Sequence, residues 1–314
     1  MLTTQKTRTL AAVAIKDKTQ IIKKRIYFRN IEDVIRKRKM LESSKGAPES
    51  KKVPGKYSNA SDYDDNSSDD SDEEEEKKAP ETDFREYTAP EGCHMEPFYR
   101  PKERITMFIA GPQNCGKSYF IAEFLDEYKQ FHPKRPIYLL TGLDEGDKHF
   151  ARHNIRKIDM DAETIGSLSL EELRNDDKTG KRLGCLLIFD DTDRILSKPL
   201  MKKVYDLMGM ALSTGRDHTT QNGDADIDVI ITNHEINDFL RTKPVLTECN
   251  YLVMFPQCSL KKQMDYCLDK VGINKRMKEM LTTYNLSRSL VIHKTYPFYA
   301  VMLDKIIMLS NITA

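Results

Sequence analysis

The chain has 314 residues, enough for one large domain or two modest ones with a sizeable buried core. Its 50 Lys and Arg nearly balance 49 Asp and Glu, so the total charge is close to zero and only the distribution of charge is informative. No apolar run is long enough for a signal peptide or a transmembrane helix, so we expect neither a leader nor a membrane span.

Six cysteines occur without any C-x-x-C pair, and Cys185 lies inside an apolar, strand-like run. This usage predicts reduced thiols in a cytosolic-type compartment. The regular spacing of Cys249, Cys258 and Cys267 leaves a zinc site as an alternative to packed thiols, although the usual closely spaced ligand pairs are missing.

The N-terminal third divides into a basic and an acidic part. Residues 1–57 carry 16 Lys and Arg against 5 Asp and Glu, whereas Asp62–Glu76 holds ten acids and no base. The acidic part lacks the aliphatic side chains that offset chain entropy. The predicted regions are a basic N-terminal arm at 1–41, a disordered acidic linker at 42–95 and a folded domain at 96–314.

The sequence RKRK, at Arg36–Lys39, ends an amphipathic-looking stretch that begins at Ile21. Three interpretations stay open for it. It is a nuclear-import or nucleic-acid patch, a partner-binding helix, or a flexible basic tail.

From residue 105 onward, short apolar or β-branched runs alternate with segments of helical periodicity. The predicted strands are Ile105–Ala110, Pro136–Leu140, Ile155–Ile158, Leu183–Phe189, Asp228–Thr232 and Tyr251–Phe255. The predicted helices are Ser118–Tyr128, Ala162–Leu173, Lys198–Leu212 and Leu260–Val271. This alternation predicts an α/β fold with a mostly parallel sheet and helices on both faces. Two last runs, 289–295 and 299–304, predict a closing antiparallel hairpin.

The stretch GPQNCGKS, residues 111–118, lies between the first predicted strand and helix. Its spacing, G-x-x-x-x-G-K-S, is typical of a loop whose backbone N–H groups cradle nucleotide phosphates at a helix N-terminus. Gly111 and Gly116 would permit the tight turn. Lys117 would reach the β- and γ-phosphates, and the Ser118 hydroxyl would ligate Mg²⁺; a plain surface turn is the alternative. The predicted nucleotide-binding residues are Gly111, Pro112, Gln113, Asn114, Cys115, Gly116, Lys117, Ser118 and Tyr119.

Cys115 lies within this loop, where helix-terminal N–H groups can favour a thiolate. We therefore expect alkylation of Cys115 to block access of the nucleotide. ATP is expected to protect the thiol.

Two adjacent acids, Asp190 and Asp191, end the apolar run in LGCLLIFDDTD. Such a run is typical of a central parallel strand whose carboxyl end enters a ligand crevice. We expect Asp190 to hold Mg²⁺, directly or through a water, and Asp191 to polarise the water that attacks the γ-phosphate. A solvated acidic turn is the alternative.

Two further polar residues are candidates for the same site. Asn233 ends the next apolar strand, where its amide could sense the γ-phosphate or position water; a helix cap is the alternative. Arg216, in STGRDH, could enter a neighbouring subunit's site as an arginine finger; a surface arginine is the alternative. His234 is expected to be structural.

Taken in order, GPQNCGKS, LLIFDDTD, STGRDH, VIITNH and CNYLVMFP resemble the poxvirus-type genome-packaging ATPases of large DNA viruses, in the FtsK/HerA branch of the P-loop motors. The resemblance covers roughly residues 103–256. Two positions depart from the viral pattern, because Asp217 separates Arg216 from His218 and many relatives have Gln where this chain has Asn233.

The resemblance implies a RecA/ASCE-like P-loop NTPase that binds ATP and Mg²⁺. The implied catalytic residues are Lys117, Asp191, Arg216 and Asn233, and the implied metal ligands are Ser118 and Asp190. It further implies a homo-oligomeric ring that hydrolyses ATP to move double-stranded DNA, without sequence preference, into a capsid. Capsid or portal-vertex proteins would be further partners.

The resemblance also implies a location and leaves the DNA contacts open. The expected location is the host cytoplasm at the site of viral assembly, and the virion, with nuclear import through Arg36–Lys39 as an alternative. The basic stretches Lys198–Lys203 and Asn274–Lys278 are candidate DNA contacts, or else solvated helix faces.

Two other function classes stay open. A P-loop nucleoside or nucleotide kinase shares the loop and Mg²⁺, but it needs neither an acid pair with a strand-tip sensor nor an arginine from another subunit. A nucleotide-gated DNA-binding scaffold would use the charged N-terminal half. DNA-stimulated hydrolysis separates the three, because a kinase ignores DNA and a scaffold turns over poorly.

Overall fold

A computed structural model describes thirteen stretches of the chain. They are residues 2–3, 8–16, 21–28, 86–89, 93–97, 99, 103–142, 148–175, 179–218, 225–234, 239–283, 287–295 and 298–309. The RKRK segment lies outside the described residues, as does the part of the predicted acidic linker before residue 86.

The strands are β1 (Leu2–Thr3), β2 (Arg8–Lys16), β3 (Ile21–Phe28), β4 (Glu86–Thr88), β5 (Cys93–Pro97), β6 (Thr106–Ala110), β7 (Ile137–Thr141), β8 (Ile155–Asp159), β9 (Cys185–Asp190), β10 (Ile227–Asn233), β11 (Tyr251–Met254), β12 (Leu290–His293), β13 (Tyr299–Val301) and β14 (Lys305–Met308). The α-helices are α1 (Lys117–Phe131), α2 (Ala162–Ser167), α3 (Leu170–Arg174), α4 (Lys198–Thr214), α5 (Phe239–Glu248), α6 (Lys261–Lys270) and α7 (Lys275–Thr283). Short 3₁₀ turns lie at Lys148–Phe150 and Thr192–Arg194.

The main sheet has the strand order β4-β14-β13-β12-β11-β6-β10-β9-β7-β8. The neighbours from β11 to β8 pair in parallel, and those from β11 to β4 pair antiparallel. The α/β fold, the six predicted strands and the closing hairpin, β12 and β13, are therefore confirmed. Because β10 lies between β6 and β9, its carboxyl end meets both the loop after β6 and the acids that end β9.

Alternate side chains of the strands point to opposite faces of the sheet, and each face has its own core. One core packs α1 against the sheet through Ile121, Phe124 and Leu125. The other packs α2 to α7, with α4 central through Val204 and Leu207. The helix that carries the phosphate-binding loop is thus held by apolar burial on one side of the sheet.

A buried carboxylate at the amino end of β10 fixes the far end of α1. Asp228 accepts hydrogen bonds from the Tyr128 hydroxyl and the Arg135 guanidinium, each at 2.8 Å, and from the Ile105 amide at 2.7 Å. Burial raises the pKa of Asp228, and Arg135 opposes that shift. The network joins the C-terminal end of α1 to the starts of β6 and β10. It therefore fixes the two elements, β6 and α1, that flank the phosphate-binding loop.

The predicted helix Ala162–Leu173 is wrong in one respect, because it is broken into α2 and α3. Leu168 and Ser169 have extended backbone conformations between the two helices. Asp161 caps α2 by accepting from the amides of Glu163 and Thr164, each at 2.9 Å. Gly166 and two serines disfavour a continuous helix here, since glycine costs chain entropy and serine competes for backbone hydrogen bonds.

Strands also occur before the predicted start of the folded domain at residue 96. β4 pairs with β14 at the edge of the main sheet, and β5 joins a second sheet of order β1-β3-β2-β5. Because Ile21–Phe28 is strand β3, the interpretation of this stretch as the start of a partner-binding helix is wrong. Within the described residues, no helix combines the length and the apolar character needed to cross a membrane.

Candidate nucleotide-binding site

The loop between β6 and α1 has the tight backbone that its glycines predict. Gly116 has φ 108° and Asn114 has φ 63°, both in the left-handed region. A Cβ on Gly111 would lie 2.7 Å from the Cys115 sulfur and 2.9 Å from the Phe255 ring, so only glycine fits there. The Gly111 amide donates to the Asn233 carbonyl at 3.2 Å, which fastens the loop to the tip of β10. The segment 111–118 is therefore a strand–loop–helix unit, as predicted.

Lys117 begins α1, and its ammonium lies inside the loop. Nζ donates to the carbonyls of Gly111 at 2.9 Å and Pro112 at 3.3 Å, and lies 3.1 Å from Nδ1 of His234. Burial lowers the pKa of Lys117, while the negative charge of Asp191 opposes that shift. A buried ammonium at the centre of a loop of N–H groups is the charge that phosphate oxygens require.

Asp190 and Asp191 stand at the end of β9 and share one hydroxyl. Thr232, fully buried on β10, donates to Oδ1 of Asp190 at 2.7 Å and accepts from the Asp191 amide at 2.9 Å. Asp191 has φ 52°, a left-handed conformation that non-glycine residues seldom adopt. Asp190 is buried and Asp191 is half-buried, which separates the two adjacent acids into different environments.

His234 connects the lysine and the second acid, although the sequence led us to expect only a structural role. Its Nε2 lies 2.8 Å from Oδ2 of Asp191, off the hydrogen-bond direction, while Nδ1 faces the Lys117 ammonium. Because an ammonium can only donate, Nδ1 is the nitrogen placed to accept from Lys117, and Nε2 is the nitrogen nearest the Asp191 carboxylate. Its backbone N–H donates to Asp193 at 2.8 Å, which fixes the ring's position.

Asn233 lies beside the acids, as predicted from the strand order. It is buried, and its Oδ1 accepts from the Thr192 hydroxyl at 3.2 Å. The alternative role as a helix cap stays open, because residues 235–238, where that helix would begin, lie outside the described part of the chain. Its role as a γ-phosphate sensor stays a prediction.

Arg216 lies near the amino ends of the parallel strands, whereas the acids lie at their carboxyl ends. It follows α4, which begins after the carboxyl end of β9 and, with 17 residues, is about 25 Å long. The helix ends where β10 begins, since the Ile227 amide donates to the Gly215 carbonyl at 2.8 Å. The exposed Arg216 therefore cannot reach Asp191 of its own chain.

Two residues near Arg216 fix the end of α4 and the start of β10. Arg104 donates to the carbonyls of Leu212 and Ile227, each at 2.8 Å, and so caps the end of α4. Asp217 is buried, and it lies 3.4 Å from the Arg182 guanidinium. The residue that separates Arg216 from His218 thus has a structural role.

Arg288, from the loop before β12, lies over the mouth of the phosphate-binding loop, and no feature of the sequence pointed to it. Its guanidinium stacks on the Tyr119 ring, with Cζ 4.7 Å from the ring centroid. A Cβ on Gly116 would collide with this guanidinium. Arg288 and Tyr119 therefore form a cationic and aromatic wall next to the start of α1.

The donor chemistry of Ser118 and Asp190 fits Mg²⁺. A hydroxyl and a carboxylate are the hard oxygen ligands that Mg²⁺ takes together with phosphate oxygens and water. Among the described residues no group of three or more His, Cys, Asp and Glu could hold a metal ion, so nothing there supports zinc at Cys249, Cys258 and Cys267.

Burial works against the expected Cys115 thiolate. The side chain is buried, and burial raises the pKa of the thiol, with the Lys117 charge only partly opposing this. The helix-terminal N–H groups do not overcome the loss of solvation at this position.

The strand order and the loop make this the fold of a P-loop NTPase. Asp190 ends the strand next but one to the loop strand, and Asp191 follows it, so the two acids and Lys117 lie at the same end of the sheet.

Known proteins similar to this chain include a virophage protein and viral packaging NTPases. No protein-family model matches the sequence. "Uncharacterized protein V3" of Sputnik virophage is 28% identical over 216 residues, covering 68% of this chain and 80% of that protein. The genome packaging NTPase B204 of Sulfolobus turreted icosahedral virus 2, in complex with AMP, has a TM-score of 0.39 and 14% identity, covering 63% of this chain and 96% of the other. B204, the DNA-packaging ATPase of Sulfolobus turreted icosahedral virus, has a TM-score of 0.41 and 16% identity, covering 66% and 98%.

Proposed function

We propose that this chain hydrolyses ATP and uses the energy to move double-stranded DNA into a viral capsid. The observation that carries the proposal is the acid pair at the end of β9, fixed by Thr232 and connected to Lys117 through His234. The ordered motifs support the packaging class by their resemblance to viral packaging ATPases.

In this proposal each residue of the site has a separate role in ATP hydrolysis. Lys117 would neutralise charge on the β- and γ-phosphates, and Ser118 with Asp190 would hold Mg²⁺. Asp191 would accept a proton from the attacking water, while His234 keeps its carboxylate in position. The bound Mg²⁺ would stabilise the charge that develops on the phosphate oxygens.

The position of Arg216 supports a ring as part of this proposal. Arg216 lies near the amino ends of the strands, and the acids of the same chain lie at the carboxyl ends. Arg216 would therefore contribute to catalysis only in the site of a neighbouring copy. Each active site would then hold Lys117 and Asp191 from one chain and Arg216 from the next, which a closed head-to-tail assembly would provide for every chain. Double-stranded DNA, capsid or portal-vertex proteins, and a location at the host's cytoplasmic assembly site belong to the same proposal.

The test is the ATPase rate of the full chain with and without linear double-stranded DNA. We expect Mg²⁺-dependent hydrolysis that rises several-fold on DNA, and none for Lys117→Ala. A rate that DNA leaves unchanged, together with phosphate transfer to a nucleoside or nucleotide, would instead identify a kinase. Nucleotide binding without turnover would identify a nucleotide-gated scaffold.

A further inference from the structure

Leu196 is the most exposed large hydrophobic side chain of the described residues. It is 97% exposed, whereas its neighbour Ile195 is half-buried and packs on the core with Leu200. The loop is thus anchored on both sides of Leu196, and it projects that one apolar side chain into solvent. A single exposed apolar side chain is ordinary on a protein surface, and the charges around Leu196 are what distinguish this loop.

The surroundings of Leu196 are positively charged. The segment 194–202 contains Arg194, Lys198 and Lys202, all exposed, and no acid. These three side chains make no ion pair or hydrogen bond with other described residues, whereas the next one, Lys203, donates to the Ala162 carbonyl at 2.8 Å. A local excess of three cations contrasts with a chain whose total charge is close to zero.

The segment is joined directly to the acid pair. The Arg194 amide donates to the Asp191 carbonyl at 3.1 Å, which closes the 3₁₀ turn between the acids and the loop. Thr192 donates to Asn233, and Asp193 accepts from the His234 amide, so the turn is also fastened to the tip of β10. A shift of the acids or of β10 would therefore move the loop with them.

We propose that the segment 194–202 grips duplex DNA during translocation. Arg194, Lys198 and Lys202 contact backbone phosphates, and Leu196 lies against sugars in the groove between the phosphate rows. Exposed cations that pair with no acid among the described residues are complementary to a polyanion, and backbone contacts need no sequence preference. The inference rests on the proposed function and names the surface through which hydrolysis acts on DNA.

The experiment compares two triple variants of the full chain. One is Arg194→Ala with Lys198→Ala and Lys202→Ala. The matched control is Lys134→Ala with Lys261→Ala and Lys262→Ala, which removes the same number of exposed cations outside both candidate basic stretches. Affinity for a linear duplex is measured over a series of salt concentrations, together with the ATPase rate with and without DNA.

We expect the first variant to keep its DNA-free ATPase rate and to lose affinity for the duplex. Its slope of log affinity against log salt should fall by about 2.7, since each phosphate contact contributes about 0.9. The control should bind like the unaltered chain. Leu196→Ser should keep most of the affinity but reduce the stimulation of hydrolysis by DNA, because only the apolar contact is lost.

Three results would overturn the inference. Unchanged affinity and slope in the first variant, or an equal loss in the control, would place the DNA contacts elsewhere while leaving the proposed function intact. A fall in the DNA-free rate that high protein concentration restores would mean that the segment contacts a neighbouring subunit. If the unaltered chain neither binds DNA nor responds to it, the proposed function fails, and this inference fails with it.

Discussion

One ring nitrogen of His234 lies 2.8 Å from a carboxylate oxygen of Asp191, at the point where β10 passes the end of β9. The other ring nitrogen lies 3.1 Å from the Lys117 ammonium. One imidazole therefore contacts both the residue expected to bind the phosphates and the residue expected to activate water. Neither contact follows from the phosphate-binding motif, and together they make His234 a positioning residue of the site.

His234→Ala is expected to lower kcat by about tenfold to a hundredfold, because Asp191 loses the group that orients it. KM for ATP should change much less, since the loop and Ser118 stay in place. His234→Gln, which can accept from Lys117 and donate to Asp191, should recover part of the rate. An equal loss for both variants, with a matching rise in KM, would argue for a purely structural role.

Asp190→Asn and Asp191→Asn are expected to differ in the step that fails. Asp190→Asn should weaken Mg²⁺-dependent binding of ATP, because a carboxylate ligand is lost. Asp191→Asn should bind ATP and then stall, because only the activation of water is lost. Nucleotide affinity and single-turnover hydrolysis, measured on both variants, separate these effects; identical phenotypes would contradict the division of roles.

Thr232→Val is expected to destabilise the fold by about 1–3 kcal/mol, because it removes the partner of the Asp191 amide and of Asp190 Oδ1 at a buried position. Thr232→Ser keeps the hydroxyl and serves as the control. Denaturant unfolding measures stability, and the ATPase rate should fall in the valine variant alone. If valine and serine behave alike, the shared hydroxyl does not hold the acid pair.

Alkylation of Cys115 is expected to be slow near neutral pH. Burial raises the pKa of this thiol, so its thiolate fraction is small there and grows only as the pH rises past the ordinary thiol range. The exposed Cys258 should be modified first. Mass spectrometry of iodoacetamide-treated protein over a pH series reports both sites, and ATP should protect Cys115 alone. Fast modification of Cys115 at pH 7 would contradict the effect of burial.

The sequence was sufficient to predict which elements meet at the site. The runs that became β9 and β10 are mostly apolar and end in polar residues, which indicates buried parallel strands whose ends face a ligand. That pattern identified Asp190, Asp191 and Asn233 without knowledge of the fold, and the G-x-x-x-x-G-K-S spacing identified Lys117.

The side-chain contacts that hold those residues could not be predicted in the same way. Thr232 is one more β-branched residue in a strand, and only the register of β10 against β9 gives its hydroxyl to the acids. Arg288 reaches the loop from a segment about 170 residues later in the chain. Such contacts depend on strand order and loop course, which local periodicity does not encode.

The central claim, that each active site is built from two chains, is tested most directly by mixing two inactive variants. Arg216→Ala should bind ATP and assemble but lose hydrolysis by about a thousandfold or more, since an arginine finger acts on the transition state. Lys117→Ala should be inactive through its own loop.

In mixed rings of equal composition, about one quarter of the interfaces should pair an intact loop with an intact Arg216 from the neighbour. The account therefore predicts that the ATPase activity partly returns when the two inactive variants are co-assembled, with differently tagged chains confirming that they share a ring. A mixture that has no ATPase activity although both tags are recovered in the same assembly would contradict the account.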